Sequence, residues 1–192
     1  MRAGGRRGRG WVAVLGMVLV AAGCTPGSDL PWLPPPPVAA YRLGPGDQIR
    51  VLTYGVEQLS GPFRVGDTGS VDLPLLGPVR AAGLTTGQLG SEIAQELVSQ
   101  KLMREPSVAV EVEEFRPIFI LGEVNKPGQY PYKPGMTVLT AVAVAGGFTY
   151  RAVESYASVV RPTKDGGATV GRVRPQSTIA PGDVVRIFER HF

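Results

Sequence analysis

Residues 118–148, IFILGEVNKPGQYPYKPGMTVLTAVAVAGGF, leave the chain few ways to fold. Ile118 to Val124 is a short apolar run rich in β-branched and aromatic residues, and predicts a strand. Lys126-Pro127-Gly128-Gln129 predicts a type II turn, because proline presets the first central φ and glycine accepts a positive second one. Gln129 to Tyr132 predicts a returning strand with Tyr130 and Tyr132 on it, and Pro134-Gly135 turns the chain again. Thr137 is placed to cap a helix from Val138 to about Ala145, with Leu139, Val142 and Ala143 on one face. Gly146-Gly147 ends it, since residues without a Cβ accept the left-handed conformation past a last turn. Strand, turn, strand, helix and glycine stop is the order of a β-grasp unit, a curled sheet holding one helix.

The matching residues Leu121-Gly122-Glu123-Val124, Lys126-Pro127-Gly128, Tyr130, Thr137, Leu139, Ala143 and Ala145-Gly146-Gly147 resemble the SLBB module, a soluble ligand-binding β-grasp. Such modules occur in bacterial polysaccharide export proteins and in unrelated binding proteins. The resemblance fixes a fold here and leaves the function open.

Charge and composition exclude several classes. The 192 residues carry a formal charge of +4, but Arg2, Arg6, Arg7 and Arg9 precede residue 24 with no acid among them. Without those four arginines, basic and acidic residues balance. The basic footprint of a nucleic-acid binder is therefore missing. One cysteine, Cys24, excludes an internal disulfide, and with one histidine, His191, leaves no zinc set and no Cys/His or Ser/His catalytic pair. No metal and no cofactor is implied. Asp67-Thr68-Gly69 has the aspartic-protease spelling, but no second copy exists to share a proton, so Asp67 reads as a turn residue.

Met1 to Arg9 is a basic region and Trp11 to Ala22 an apolar run of twelve residues. A bilayer core needs about 20, so the run suits a signal peptide over residues 1–23. It ends Ala21-Ala22-Gly23-Cys24, which resembles the lipobox of bacterial lipoproteins, with alanine where leucine is commonest. The resemblance implies cleavage before Cys24, lipidation of its thiol and acylation of the new amino group. With Thr25 rather than aspartate next, it implies the outer membrane of a Gram-negative bacterium, facing the periplasm. Acyl chains contribute about 0.8 kcal/mol per buried CH₂, enough together for a stable anchor. The alternative is an ordinary secretory signal with an incidental cysteine. Residues 24–40 hold Pro26, Pro31 and the run Pro34 to Pro37, and predict an extended polyproline spacer.

Residues 41–114 read as a first small domain. Gly44-Pro45-Gly46-Asp47 predicts a turn feeding a strand from Gln48 to Tyr54. Thr85 and Gln88 have capping-box spacing, and Leu89, Ile93 and Leu97 make a helical core stripe. Val108, Val110 and Val112 alternate with Ala109, Glu111 and Glu113 as a half-buried strand, whose acids, with Glu114, read as a solvated face. The order of these pieces, with Gly69-x-Val71-x-Leu73-Pro74-x-x-Gly77 and Gly83-Leu84-Thr85 between them, is similar to the polysaccharide export domain.

Residues 115–192 read as the second domain. Tyr156 to Pro162 predicts a strand and Lys164-Asp165-Gly166-Gly167 a hairpin turn. Pro181-Gly182-Asp183 repeats the Pro45-Gly46-Asp47 spelling ahead of another alternating strand, either one stable turn used twice or a duplicated module. The whole is expected to be α+β: two small mixed domains, the second β-grasp-like, after a signal peptide and a proline-rich tether.

With the lipobox, both resemblances together imply the Wza-type outer-membrane polysaccharide export family. That family implies a non-enzymatic, oligomeric ring forming a conduit for a capsular or extracellular polysaccharide. It also implies an inner-membrane co-polymerase and chain-length regulator as partner. Longer members carry a second SLBB-type unit and a C-terminal amphipathic helix. Neither is seen up to Phe192, so a separate outer-membrane β-barrel is the expected further partner. Tyr130 and Tyr132 are the candidate ligand contacts, and the motif residues Gly44, Pro45, Gly46, Asp47, Gly122, Pro127, Gly128, Gly146 and Gly147 read as structural. The alternative is a periplasmic glycan- or ligand-binding lipoprotein without a transport role. An enzyme lacks any acid/base constellation.

Overall fold

The computed structural model describes residues 25–36, 40–163 and 166–190. The expected signal peptide, the expected lipidation site Cys24 and the hairpin residues Lys164 and Asp165 lie outside them. The architecture is α+β, organised around two hydrophobic cores.

The first core gathers residues from Leu43 to Leu97. Strand β1 (Gln48–Thr53) is central, between β2 (Gly61–Arg64) and β5 (Val108–Glu114), antiparallel to both. A separate hairpin pairs β3 (Ser70–Leu73) with β4 (Gly77–Arg80). Helix α1 (Thr86–Ser99) closes this core with Leu89, Ile93 and Leu97 fully buried. Its start is fixed by the expected capping box: Gln88 N donates to Thr85 Oγ1 at 3.2 Å and Thr85 N to Gln88 Oε1 at 3.0 Å.

The second core gathers residues from Ile118 to Ile187. Its sheet is ordered β7 (Gly128–Tyr130), β6 (Ile118–Gly122), β10 (Val184–Ile187), β8 (Ala157–Pro162), β9 (Ala168–Val173). β10 runs parallel to β6, and the other pairs are antiparallel. Helix α2 (Val138–Val144) is the one helix of this unit, capped by Thr137 and Thr140. This is the β-grasp arrangement.

Three local expectations are corrected. The buried face of α2 is Val138, Ala141, Val142 and Ala145, whereas Leu139 and Ala143 are exposed. The short helix meets a tight sheet, so small and β-branched residues fit there and the larger leucine is left outside. Gly128 does not take a positive φ, so the type II turn is not formed; the left-handed residue is Gly122, with φ of 86°. The backbone after it hydrogen-bonds to the end of α2 instead of across its own hairpin.

The tether differs from a free spacer. Arg172 N donates to Pro31 O at 2.7 Å and Leu33 N to Arg172 O at 2.8 Å, so residues 31–33 run parallel to β9. β9 is an edge strand with backbone groups to satisfy, and this segment covers it. Proline is compatible here because Pro31 supplies only its carbonyl.

Ile93→Ala should lower stability by about 2–5 kcal/mol, because it empties a buried site of the first core. Leu139→Ala should change it by no more than about 0.5 kcal/mol, because that side chain is already in solvent. Urea unfolding of the two variants checks the assignment of helix faces; equal losses would contradict it.

Candidate functional site

The two Pro-Gly-Asp copies form the same object. Proline holds the first central position of each turn, and Gly46 and Gly182 take φ of 92° and 84° in the second. Asp47 N donates to Gly44 O at 3.2 Å, and Asp183 N donates to Ala180 O at 3.1 Å. Each aspartate carboxylate then accepts from the first amide of its own turn, Gly44 N and Ala180 N, both at 2.8 Å. Both aspartates are completely buried. The strands that follow differ: β1 has two antiparallel neighbours and β10 one parallel neighbour. The repeated unit is thus the turn, not a module.

A buried carboxylate is costly unless it is paired and hydrogen-bonded. Arg161 serves Asp183 with two parallel bonds, Nε to Oδ1 at 3.0 Å and Nη2 to Oδ2 at 2.7 Å. Asp47 receives the Tyr41 hydroxyl at 2.7 Å, the Arg116 backbone N–H at 2.9 Å and the Arg116 guanidinium at 3.8 Å. Arg116 also donates Nε to Pro181 O at 3.1 Å. One arginine therefore touches both turns and ties the two halves of the chain together. A Cβ on Gly44 would overlap its guanidinium, and one on Gly182 would come within 3.1 Å of Nε.

Aromatic rings continue the junction. Tyr41 meets Phe115 edge-to-face at 4.9 Å, and Phe115 meets Tyr132 at 5.6 Å. Burial, with the hydrogen bond to Asp47, pushes the Tyr41 phenol well above its ordinary range, so its hydroxyl stays a donor. Burial also raises Tyr132.

The SLBB-like residues build a second feature, where the β6–β7 loop is clasped to the end of α2. Gly122 brings the chain against the Ile187 carbonyl, where a Cβ would collide. Asn125 N donates to Gly147 O at 3.0 Å, Lys126 N to Ala145 O at 2.9 Å, and Asn125 Nδ2 to Gly146 O at 2.7 Å. Gly146 and Gly147, with φ of 82° and 88°, turn those carbonyls toward the loop. Pro127 lies in the loop and Gly128 opens β7.

Tyr130 and Tyr132 are both partly buried against the second core. The Tyr130 hydroxyl donates to Lys126 O at 2.5 Å within the same loop. They sit on opposite business: Tyr130 braces the clasp, and Tyr132 the junction with Phe115. Among the acids of β5, Glu113 accepts from Gln48 at 3.0 Å and from Arg50, and these bonds hold its carboxyl below the usual range.

Sequence reasoning did not single out Arg116, Arg161 or Phe115. Their only signal was indirect: two aspartates in identical turns need counter-charges if buried, but nothing local says which arginines supply them. Chemically, both buried carboxylates are committed to turn amides and arginines. The arrangement is built to hold geometry.

Arg161→Ala should cost about 3–5 kcal/mol in urea unfolding, because it strands a buried charge. Arg116→Ala should cost less, about 1–2 kcal/mol, since the backbone N–H and Tyr41 remain on Asp47. Above pH of about 10 the unfolded chain ionises Tyr41 while the folded chain keeps it protonated, so stability should fall as pH rises further. Tyr41→Phe should remove that share of the alkaline loss; an unchanged alkaline limb would refute the role given to its burial.

Comparison with known proteins matches residues 35–113 to the family described as polysaccharide biosynthesis/export protein, and residues 117–173 to the SLBB domain. The exopolysaccharide production protein ExoF of Rhizobium meliloti is 38% identical over 118 residues, covering 56% of this chain and 28% of ExoF. The polysialic acid transport protein KpsD of Escherichia coli is 29% identical over 109 residues, covering 56% of this chain and 19% of KpsD. The EPS I polysaccharide export outer membrane protein EpsA of Ralstonia solanacearum is 25% identical over 185 residues, covering 78% of this chain and 48% of EpsA. The chain thus spans less than half the length of each of these relatives. With its two matched segments in this order, the chain belongs to the polysaccharide export family and contains one SLBB domain.

Proposed function

We propose that the chain is a lipid-anchored component of a machine that exports a capsular or extracellular polysaccharide across a Gram-negative envelope. The observation that carries this reading is the export segment followed by an SLBB domain in this chain, together with its similarity to proteins named for exopolysaccharide production, polysialic acid transport and outer-membrane polysaccharide export. The role is passive: the chain forms part of an oligomeric periplasmic ring through which polymer moves, and no bond is made or broken. An inner-membrane co-polymerase delivers the polymer. A separate outer-membrane barrel completes the passage.

Cys24 is the anchor in this reading. Thr25 follows it directly, and the next residues already touch the second domain: Tyr156 donates its hydroxyl to Pro26 O at 2.8 Å. This supports an acyl group seated beside the SLBB domain rather than at the end of a free spacer. The hydrogen bonds from Arg116 to both turns suit a ring, because a tied junction between two small domains helps neighbouring copies repeat one contact.

Deleting the chain should abolish extracellular polysaccharide or leave polymer in the periplasm, and Cys24→Ala should give the same direction of defect. Quantifying secreted and cell-retained polymer in both strains checks this. Unchanged secretion in the deletion strain, with no second family member to substitute, would overturn the export reading.

A further inference from the structure

The five-stranded sheet has two faces, and α2 covers only one. On the other, the strand register lines up two rows of outward side chains. One row runs Gln129, Phe119, Val184, Val160, Val170 from β7 to β9. The next runs Leu121, Arg186, Ser158, Arg172, with Ser158 buried and Arg172 half-buried, and the bridge from Arg172 to Trp32 extends it by one more position. Trp32 is 51% exposed, with the Arg172 and Arg174 guanidinium carbons 4.8 Å and 5.7 Å from its ring centre. Arg172 is held in place by its Nε bond to Leu30 O at 2.9 Å. Strand spacing puts Arg186 about 14 Å from Trp32 along the row. No strand residue turned to this face, among the described residues, is acidic.

The charge of the whole chain hides this. Residues 41–114 carry six basic and ten acidic side chains, while residues 115–192 carry ten basic and five acidic ones. An anionic polymer is therefore drawn to the second half and repelled by the first.

We propose that this face, centred on Trp32, Arg172 and Arg174 and extended by Arg186, is a binding surface for an anionic glycan. The indole stacks on a sugar ring, as amphipathic aromatic faces do. The guanidinium groups bind sugar carboxylates through charge-assisted hydrogen bonds. Phe119, Val184, Val160 and Val170 beside them give an extended chain an apolar floor. Arg186→Gln and Arg174→Gln leave the core untouched, since both side chains are exposed. The inference names the substrate class for the export reading and rests on it for the source of the glycan.

Trp11 and Trp32 are the two tryptophans of the chain, so the full chain with Trp11→Phe reports on Trp32 alone. Its emission should shift on titration with oligogalacturonate and not with neutral maltoheptaose, and the response should weaken as salt rises. Arg174→Gln with Arg186→Gln should raise the apparent Kd for oligogalacturonate by about tenfold while circular dichroism stays unchanged. An equal response to both sugars, or none to oligogalacturonate, would overturn the inference. So would a glycan-free emission shift that depends on protein concentration, which would assign the face to a second copy of the chain. Lost binding with intact dependence of export on the chain would sink this inference alone; intact binding with unchanged secretion in the deletion strain would sink the export reading alone.

Discussion

Two fully buried carboxylates govern this structure. Asp47 and Asp183 each sit behind a Pro-Gly turn with no exposure. Such a group is tolerable only inside a full set of donors. The turn amide supplies one donor and an arginine from elsewhere in the chain supplies others, with the Tyr41 hydroxyl added on Asp47. Because Arg116 serves Asp47 and also reaches Pro181 O, satisfying one buried charge fixes how the two cores meet. The rings of Tyr41, Phe115 and Tyr132 fill the same junction with apolar contact.

The same economy governs the second domain. Gly122 lets β6 leave the sheet where a side chain would strike Ile187, and Gly146 and Gly147 aim the last carbonyls of α2 at the loop. The edge strand β9 is closed by residues 31–33, so the proline-rich segment ahead of the first domain becomes part of the sheet's rim. Covering an edge in this way removes a template for unwanted strand pairing. It also sets Trp32 beside two arginines, where the outer face of the sheet ends.

The halves of the chain carry opposite formal charge, with residues 41–114 net acidic and residues 115–192 net basic. A chain with this balance has little net pull on a polyanion as a whole, yet it has one domain that attracts it and one that does not. That gradient is a physical property of the fold, because only folding gathers the basic residues of β9 and β10 onto one surface.

Much of this was legible in local residues. The Thr85 and Thr137 caps, the Leu89, Ile93, Leu97 stripe, the Pro-Gly-Asp turns and the Gly146-Gly147 stop depend on neighbours within about one helical turn, and spelling suffices for such features. The contents of the turns were less legible. Leu139 looked like core by spacing, but the space under α2 was set by a sheet of five strands drawn from both sides of it in sequence. Gly128 looked like the turn glycine, yet the loop found its hydrogen bonds on α2. Prolines in the tether announced an extended chain, and only β9's open edge decided that it would dock. By itself the sequence determined the α+β class, the element order and the two turns. The tertiary structure alone decided which arginine meets which aspartate, and what gathers around Trp32, because partners 22 to 142 residues apart are chosen by packing and by the cost of an unpaired buried charge.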